Sequence, residues 1–177
     1  MLAAPNRQSG FTLIEIMIGL AVLGLLSVLA VPAYQHWVRN TQIRNGTEGL
    51  LNGMQLARAE AVRLNAQVQL VVGPGPGTGW TVSNAVTGTT IQSRSMQQGS
   101  TDASISIQPA GADRVTFNGM GWLNSNGDGS ASITQIDVTS GSYTGTETRP
   151  LRLVVSAGGM VRMCDPAVGA GDPRACP

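Results

Sequence analysis

The stretch that decides the fold lies near the amino terminus, where residues 9–31 read SGFTLIEIMIGLAVLGLLSVLAV. No charged side chain occurs from Ile16 to His36, and residues 16–31 are almost entirely aliphatic. With its neighbours this run is close to the roughly 20 apolar residues, at about 1.5 Å each, that cross the hydrocarbon core of a bilayer as a helix. The sequence therefore predicts a membrane-spanning helix.

One carboxylate, Glu15, lies at the start of the apolar run. A charge in the bilayer centre costs about 2.5–3.5 kcal/mol on insertion scales, so an intramembrane Glu indicates a functional site. The alternative is the apolar core of a cleaved secretory signal, which is usually shorter and ends at a small-x-small site. The pattern here fits that alternative poorly, because the preceding segment 1–10 is short and polar and carries a single Arg7.

The motif Ser9-Gly10-Phe11-Thr12-Leu13-Ile14-Glu15 with its aliphatic run resembles the prepilin signature of type IV pilins and of the pseudopilins of type II secretion. The resemblance implies that a prepilin peptidase cuts between Gly10 and Phe11 and methylates the new amino terminus. It also implies that Glu15 pairs with the amino terminus of a neighbouring subunit during assembly, which offsets the cost of its burial. An ordinary signal anchor is the alternative.

The same resemblance divides the chain into three parts. Residues 1–10 are expected to be a cleaved leader, residues 11–34 a transmembrane helix, and residues 35–177 a periplasmic globular domain. The protein would then be a single-pass protein of the inner membrane that is incorporated into a pilus. Its expected partners are the membrane, the prepilin peptidase and other minor and major pilins.

The charge content excludes several classes of function. The 177 residues include eleven basic side chains, all Arg, against ten acidic ones, for a formal net charge of +1. The absence of Lys removes Walker-type phosphate loops, Schiff-base enzymes and the usual Lys-rich nucleic-acid surface. Loss of Arg7 with the leader would leave ten Arg facing ten acidic residues.

The helical pattern continues beyond the apolar run, and we predict one long helix from Phe11 to Asn65. Pro32 should kink it, because proline lacks the backbone donor. Three glycines should weaken it by up to about 1 kcal/mol each relative to Ala. They are Gly46, Gly49 and Gly53. A mostly apolar stripe steps by four and three along its second half, through Ile43, Thr47, Leu50, Met54, Ala57, Ala61 and Leu64.

From Val68 the period changes to two and turn residues multiply, which is typical of short antiparallel strands. Strands are predicted at 68–72, 80–82, 105–107, 115–117, 133–138 and 151–155, with a short last one at 160–163. The fold class is therefore α+β, a type IV pilin-like fold in which a long amino-terminal helix packs on antiparallel sheets.

Two loops resemble ligand sites only superficially. The run Gly73-Pro74-Gly75-Pro76-Gly77-Thr78-Gly79 is interpreted as a hairpin loop, since its prolines remove the donors that a phosphate cradle needs. Asn124-x-Asn126-x-Asp128-Gly129 resembles the first half of a calcium loop, but Gln135 stands where the bidentate Glu would be. A Gly-rich turn is the interpretation we favour, with calcium as the alternative.

On the periplasmic side that the resemblance implies, Cys164 and Cys176 can be oxidised, and we expect a disulfide between them. It would form a rigid terminal loop that displays Arg174. With one His in the chain and no free Cys expected, there is no candidate for a metal site or for a His- or Cys-based catalytic site. We expect no enzymatic activity, no cofactor and no small-molecule substrate.

The carboxyl end is similar to that of the FimT/FimU minor pilins of the GspH family, and the Phe117-x-x-x-Gly121 stretch fits the same family. Some FimT-like members take up DNA through a Gly-Arg-x-Arg motif at this position. Here Gly159 and Arg162 match, but Met160 replaces the first Arg. Candidate DNA-binding residues are Arg149, Arg152, Arg162 and Arg174, which exceed Asp165 and Asp172 by two charges.

The sequence is thus identified as a minor pilin of the GspH/FimT family. The function that this resemblance implies is structural, in a complex that primes or caps a type IV pilus and so supports twitching, adhesion or DNA uptake. The alternatives are a DNA-binding minor pilin for natural transformation and the H-type minor pseudopilin of a type II secretion system.

Overall fold

The computed structural model describes residues 10–75, 77–96, 98, 100–143, 145 and 147–177. Residues 1–9 of the expected leader lie outside the described residues, as does Pro76 of the predicted hairpin loop. Over the described ranges, one helix, α1 (Leu13–Leu64), precedes nine strands. These are β1 (Val68–Val72), β2 (Trp80–Asn84), β3 (Thr90–Arg94), β4 (Ala103–Gln108), β5 (Arg114–Phe117), β6 (Leu123–Asn124), β7 (Gln135–Ser140), β8 (Leu151–Val155) and β9 (Val161–Cys164).

The chain divides into two compact units, Met1–Trp37 and Val38–Pro177, and the division falls within α1. In the first unit the helix bends between Val28 and Ala30, one turn before Pro32, whose nitrogen cannot donate to the carbonyl of residue 28. Judged by length and composition, no single straight helix of the described residues could cross a membrane, but the segments on either side of this bend qualify as a pair.

In the second unit the predicted stripe of α1 forms the helix side of the core. Ile43, Leu50, Met54, Ala57 and Ala61 are at most 1% exposed. Thr47 is also buried, and its hydroxyl donates to the carbonyl of Ile43 at 2.8 Å, so its polar group is satisfied inside the helix. The last predicted member, Leu64, is instead exposed, because the helix ends there.

The three helix glycines are packing positions, a role that propensity alone does not reveal. A Cβ on Gly53 would lie 2.7 Å from Trp80 Cε2 and 2.8 Å from Leu70 Cδ1, closer than real contacts allow. A Cβ on Gly49 would overlap the guanidinium of Arg94, and one on Gly46 would lie 2.8 Å from Thr78 Cγ2. The glycines therefore let the first sheet approach the helix backbone closely.

The strands form two antiparallel sheets, as predicted. The first has the order β3-β2-β1-β5-β6 and the second the order β4-β7-β8-β9. In the first sheet the central Leu70 pairs with Val82 on one side and Val115 on the other. In the second, β8 pairs with β7 and β9, so that Leu153 lies between Ile136 and Met163.

Two strands were not predicted, and the bounds of a third were predicted too early along the chain. β3 reads TIQSR and is mostly exposed at a sheet edge, while β6 has only two residues, so neither carries a period-two apolar signal. The strand predicted at 133–138 begins at Gln135. Ile133 donates its backbone N–H to Arg114 of the first sheet at 3.0 Å, so this buried residue belongs to the crossing between sheets.

Candidate functional site

The expected processing and assembly residues lie where the helix begins. Gly10 and Phe11 are exposed and precede the first helical residue, Leu13, so the predicted cleavage bond lies in non-helical backbone. Thr12 caps the helix, since its Oγ1 accepts from the Glu15 backbone N–H at 3.3 Å. Glu15 is exposed in the first turn, where the helix dipole favours a carboxylate. The predicted amino-terminal site residues Gly10, Phe11 and Glu15 thus all lie close to the start of the helix at Leu13.

The helix that follows this site presents apolar side chains on every face. Those of Leu13, Leu20, Leu25 and Val28 are 63–78% exposed, and their neighbours in this part of α1 are exposed to similar degrees. A helix that is apolar all round requires an apolar environment such as lipid or a bundle of other helices. Glu15 is the acidic side chain in its first turn.

At the other end of the chain, the predicted disulfide joins Cys164, the last residue of β9, to Cys176. The segment between them returns along itself, because Asp165 bridges to Ala175 and the Asp165 N–H donates to the Arg174 carbonyl at 2.8 Å. The tail is thus a closed, hydrogen-bonded loop at the edge of the second sheet.

Two of the four candidate DNA-binding arginines are engaged in ion pairs. Arg152 donates from Nε to Asp137 Oδ1 at 2.6 Å, and both side chains are more than two-thirds buried. Arg174 donates to both carboxylate oxygens of Asp172, at 3.0 and 2.8 Å. Its hydrogen bonds and those of its backbone hold the pKa of Asp172 at about 2. Neither guanidinium presents an uncompensated charge.

The other two arginines are not brought together. Arg149 is held at α1, where its backbone N–H donates to Asn40 Oδ1 at 2.9 Å and Asn40 Nδ2 donates to the Glu147 carbonyl at 3.1 Å. Arg162 lies on β9 opposite Val154, and its Nη2 reaches the Pro173 carbonyl at 3.5 Å.

The local charge excess expected from the sequence disappears around the tail. Three arginines lie there, Arg152, Arg162 and Arg174. Asp137 pairs with Arg152, and Asp165 and Asp172 both act on Arg174, so the six side chains sum to zero charge although Arg162 has no ion pair among the described residues. Because Asp137 is distant in sequence, only the fold reveals that it neutralises this region.

The glycine of the incomplete Gly-Arg-x-Arg match has a structural role. Gly159 adopts a φ of +75° in the β8–β9 turn, a conformation that favours glycine. A Cβ there would collide with the carbonyl oxygen of Gly121 and lie 3.4 Å from Phe117 Cδ1. The turn and the packing of the two sheets therefore explain Gly159 without a ligand.

The stretch around Gly121, whose role could not be read from the sequence, joins three elements. Asn118 Oδ1 accepts from the backbone N–H groups of Met120 and Trp122 at 3.0 and 3.1 Å. Arg58 on α1 donates from Nε to the Gly121 carbonyl at 2.9 Å. The Asn-Gly-Met-Gly pattern at 118–121 signals this turn, but no sequence feature identifies Arg58 as its partner.

The calcium-like loop is a turn organised by an arginine. Arg114 donates from Nε to Asp113 Oδ1 at 2.8 Å and from Nη1 to Asp128 Oδ2 at 3.0 Å. Ser130 donates its N–H and hydroxyl to Asp128 Oδ1 at 3.0 and 2.7 Å, and Asn126 bonds Thr116 and Ser130. Among the described residues, no group of three or more His, Cys, Asp or Glu side chains could hold a metal ion. The guanidinium of Arg114 thus already engages one carboxylate oxygen, Asp128 Oδ2, that a cation in this loop would need.

Comparison with family models gives two matches. The model described as Type II transport protein GspH matches residues 46–159, and the model described as Prokaryotic N-terminal methylation motif matches residues 5–31. The first covers more than half of the chain, and the second covers the predicted cleavage bond and the apolar run.

Curated relatives match over shorter segments. The type IV major fimbrial protein FimA of Dichelobacter nodosus is 42% identical over 55 residues, which are 31% of this chain and 34% of that protein. Fimbrial protein Q of Moraxella bovis is 51% identical over 37 residues, 21% of this chain and 24% of that protein. The chain thus spans about a third or less of the length of the curated relatives it matches.

Two crystal structures share the fold. The type IV minor pilin FimU of Pseudomonas aeruginosa PAO1 in space group P65 matches with a TM-score of 0.51 at 16% identity, over 75% of this chain and 98% of that one. The same protein in space group P21 gives 0.51 at 17% identity, over 76% and 94%. At this identity the comparison establishes the fold, a long helix on antiparallel sheets.

Proposed function

This chain belongs to the GspH family of type II transport proteins, and on that premise we propose that it is a minor pilin of a type IV pilus. It would be processed at Gly10–Phe11, anchored in the inner membrane, and built into the complex that primes or caps the fibre. The family consists of structural pilin-like subunits, so the chemistry at the amino terminus is done to this chain by the peptidase.

The observation that carries the proposal is the exposed, all-round apolar half of α1 with Glu15 at its start. Lipid would cover these side chains before assembly, and the equivalent helices of other subunits would cover them in the fibre. In both environments an unpaired carboxylate is costly, so pairing with a cation would stabilise Glu15.

The proposed cation is the amino group that cleavage creates at Phe11 of a neighbouring subunit. Phe11 is exposed and lies two residues before the first helical residue, Leu13, so a new terminus there would project beyond the first turn. The Glu15 carboxylate would then be neutralised inside the bundle, and the pair would set the axial register between subunits.

Mass spectrometry of the chain recovered from membranes tests the processing step. A mature protein that begins with N-methylated Phe11 supports the proposal, and one that still begins with Met1 overturns it. Glu15→Gln should preserve cleavage and membrane insertion but prevent recovery in sheared pili, while Ser27→Ala, a neutral change on the same exposed helix, should leave recovery unchanged. Equal recovery of both variants would remove Glu15 from assembly.

The choice between a pilus and a secretion pseudopilus rests on partners. The curated relatives are fimbrial proteins and the structural neighbour is a type IV minor pilin, which supports the pilus. Deletion of the gene should abolish surface pili and leave type II secretion intact. The reverse phenotype would identify the chain as an H-type pseudopilin.

A further inference from the structure

An exposed apolar surface lies at the carboxyl-terminal end of α1. It consists of Val62, Met120, Trp122 and Met160, which are 52%, 70%, 57% and 65% exposed and are here called the Trp122 patch. Other large apolar side chains of the same unit, such as those of Val86 and Met96, are exposed singly in loops away from the regular elements. Single exposed apolar residues are ordinary, whereas a cluster marks an interaction surface.

The patch is assembled around Gly121. Its carbonyl accepts from Arg58 of α1, and a Cβ on Gly121 would lie 3.1 Å from Val62 Cγ2. Gly159, next to Met160, packs against the same carbonyl oxygen. Residues far apart in sequence thus meet at one point, where the helix and two turns converge.

The two turns that carry the patch are held by their own hydrogen bonds. Asn118 Oδ1 accepts from the N–H groups of both Met120 and Trp122, and the Ser156 hydroxyl oxygen accepts from the Met160 N–H at 3.2 Å. Such a surface loses little backbone freedom when a partner binds, which favours affinity.

Charge beside the patch indicates the kind of partner. A groove on α1 next to it is lined by Gln55, Arg58, Ala59, Val62 and Arg63. Arg63 is neutralised by Glu60 at 2.7 Å, whereas Arg58 has no carboxylate within ion-pair distance among the described residues. An apolar centre beside one uncompensated guanidinium is complementary to an apolar side chain flanked by a carboxylate.

We propose that the Trp122 patch binds a neighbouring pilin-like subunit through an apolar side chain that stands beside an Asp or Glu. The inference rests on the proposed function but concerns a contact separate from the amino-terminal half of α1. Trp, Met and Arg are the residues enriched at the centres of protein interfaces. A nucleic acid would need several phosphate contacts, and among the described residues the groove beside the patch offers only one guanidinium without a carboxylate partner, that of Arg58.

Photo-crosslinking in cells tests this contact on the full chain. A benzophenone amino acid is placed at Trp122 in the patch, at Leu25 in the exposed helix, or at Val86 outside the patch. We expect adducts from Trp122 and Leu25, each containing peptides of another protein that carries the prepilin motif, and none from Val86. An adduct at Leu25 without one at Trp122 overturns the patch and leaves the proposed function standing, while loss of both overturns both. A Trp122 adduct that nuclease removes assigns the patch to nucleic acid and also overturns the inference.

A matched pair of variants at Met160 tests the charge. With the crosslinker at Trp122, Met160→Glu should lower the adduct about ten-fold through repulsion of the partner's carboxylate. Met160→Gln, which has the size of Glu and no charge, removes only the apolar contact of Met160 and should lower the yield clearly less than Met160→Glu does. Equal yields from the two variants overturn the acidic character of the partner. Unchanged processing at Gly10–Phe11 in both variants shows that the chain is still inserted, and an unchanged unfolding temperature of each purified variant shows that residues 38–177 are still folded.

Discussion

Asp137 on β7 and Arg152 on β8 lie directly opposite each other in the second sheet and are joined by two hydrogen bonds, at 2.6 and 3.2 Å. Gln135 Nε2 donates to the same carboxylate at 2.8 Å, so Asp137 is bonded on both oxygens. This network crosslinks β7 to β8, and Arg152 in turn lies opposite Cys164 of β9 in the sheet. Arg152, which the sequence offers as a candidate DNA-binding residue, is therefore part of the structural scaffold.

We expect Arg152→Ala to destabilise the protein by about 1.5–3 kcal/mol, the range for hydrogen bonds to charged groups, because it leaves Asp137 without its partner in a half-buried site. Thermal or denaturant unfolding of the purified chain measures the loss. Arg162→Ala, on the adjacent strand and exposed, should cost less than about 0.5 kcal/mol. Equal costs for the two variants would show that Arg152 is not a structural crosslink.

The packing of Gly53 predicts an effect opposite to that of helix propensity. Gly53→Ala should gain up to about 1 kcal/mol from propensity, but it should lose about 1–3 kcal/mol by forcing Trp80 and Leu70 away from the helix. The net change in the free energy of unfolding should therefore be destabilising. Ala59→Gly, at an exposed position of the same helix, measures the effect of helix propensity on the free energy of unfolding without a packing change. Stabilisation by Gly53→Ala would contradict the close approach of the sheet.

The regular elements could be predicted because their signals are local. Local patterns indicate which face of each element is buried: the stripe from Ile43 to Ala61 does so for the helix, and the period-two runs around Leu70 and Leu153 do so for the strands. The structure buries those residues. β3 was not predicted, because an exposed polar edge strand carries no apolar period.

The site could be predicted only where its residues are neighbours in sequence. Gly10, Phe11 and Glu15 form one contiguous motif, and the match of residues 5–31 to the methylation model covers it. The neutralisation of Arg152 by Asp137 and the contact of Arg58 with Gly121 depend on sheet register and helix placement, which a single sequence does not encode locally. The local charge count around the tail therefore misjudged its electrostatics.

The arginine at the calcium-like loop predicts that the protein does not respond to calcium. Arg114 bridges Asp113 and Asp128, so a divalent ion would have to displace a bonded guanidinium. Addition of about 1 mM calcium, the weak end of the range for extracellular calcium modules, should leave the unfolding temperature unchanged. Magnesium at the same concentration controls for ionic strength. A rise in the unfolding temperature with calcium but not with magnesium would support the calcium-loop interpretation.

The pair in the terminal loop predicts a low titration midpoint for Asp172. Hydrogen bonds from Arg174 lower its pKa from 3.8 to about 2, so the carboxylate's contribution to stability is present above the usual Asp value and is lost as the pH falls towards 2. NMR titration of the side-chain carboxyl carbon measures this directly. Arg174→Gln should move the midpoint up towards 3.8, and Arg149→Gln, at α1, should not move it. A midpoint near 3.8 in the unaltered chain would mean that the pair does not form.

The balanced charge around the tail predicts that the chain itself is a poor DNA ligand. Since the three arginines and three aspartates of the tail sum to zero charge and Arg152 and Arg174 are held in ion pairs, we expect no retardation of duplex DNA at about 100 µM protein and physiological salt. Asp165→Asn with Asp172→Asn removes two negative charges from the tail without adding an arginine, and this variant should bind with strong salt dependence. Retardation by the unaltered chain that Arg162→Ala abolishes would instead support a role in DNA uptake, because it would show that these guanidiniums reach phosphate despite their carboxylate neighbours.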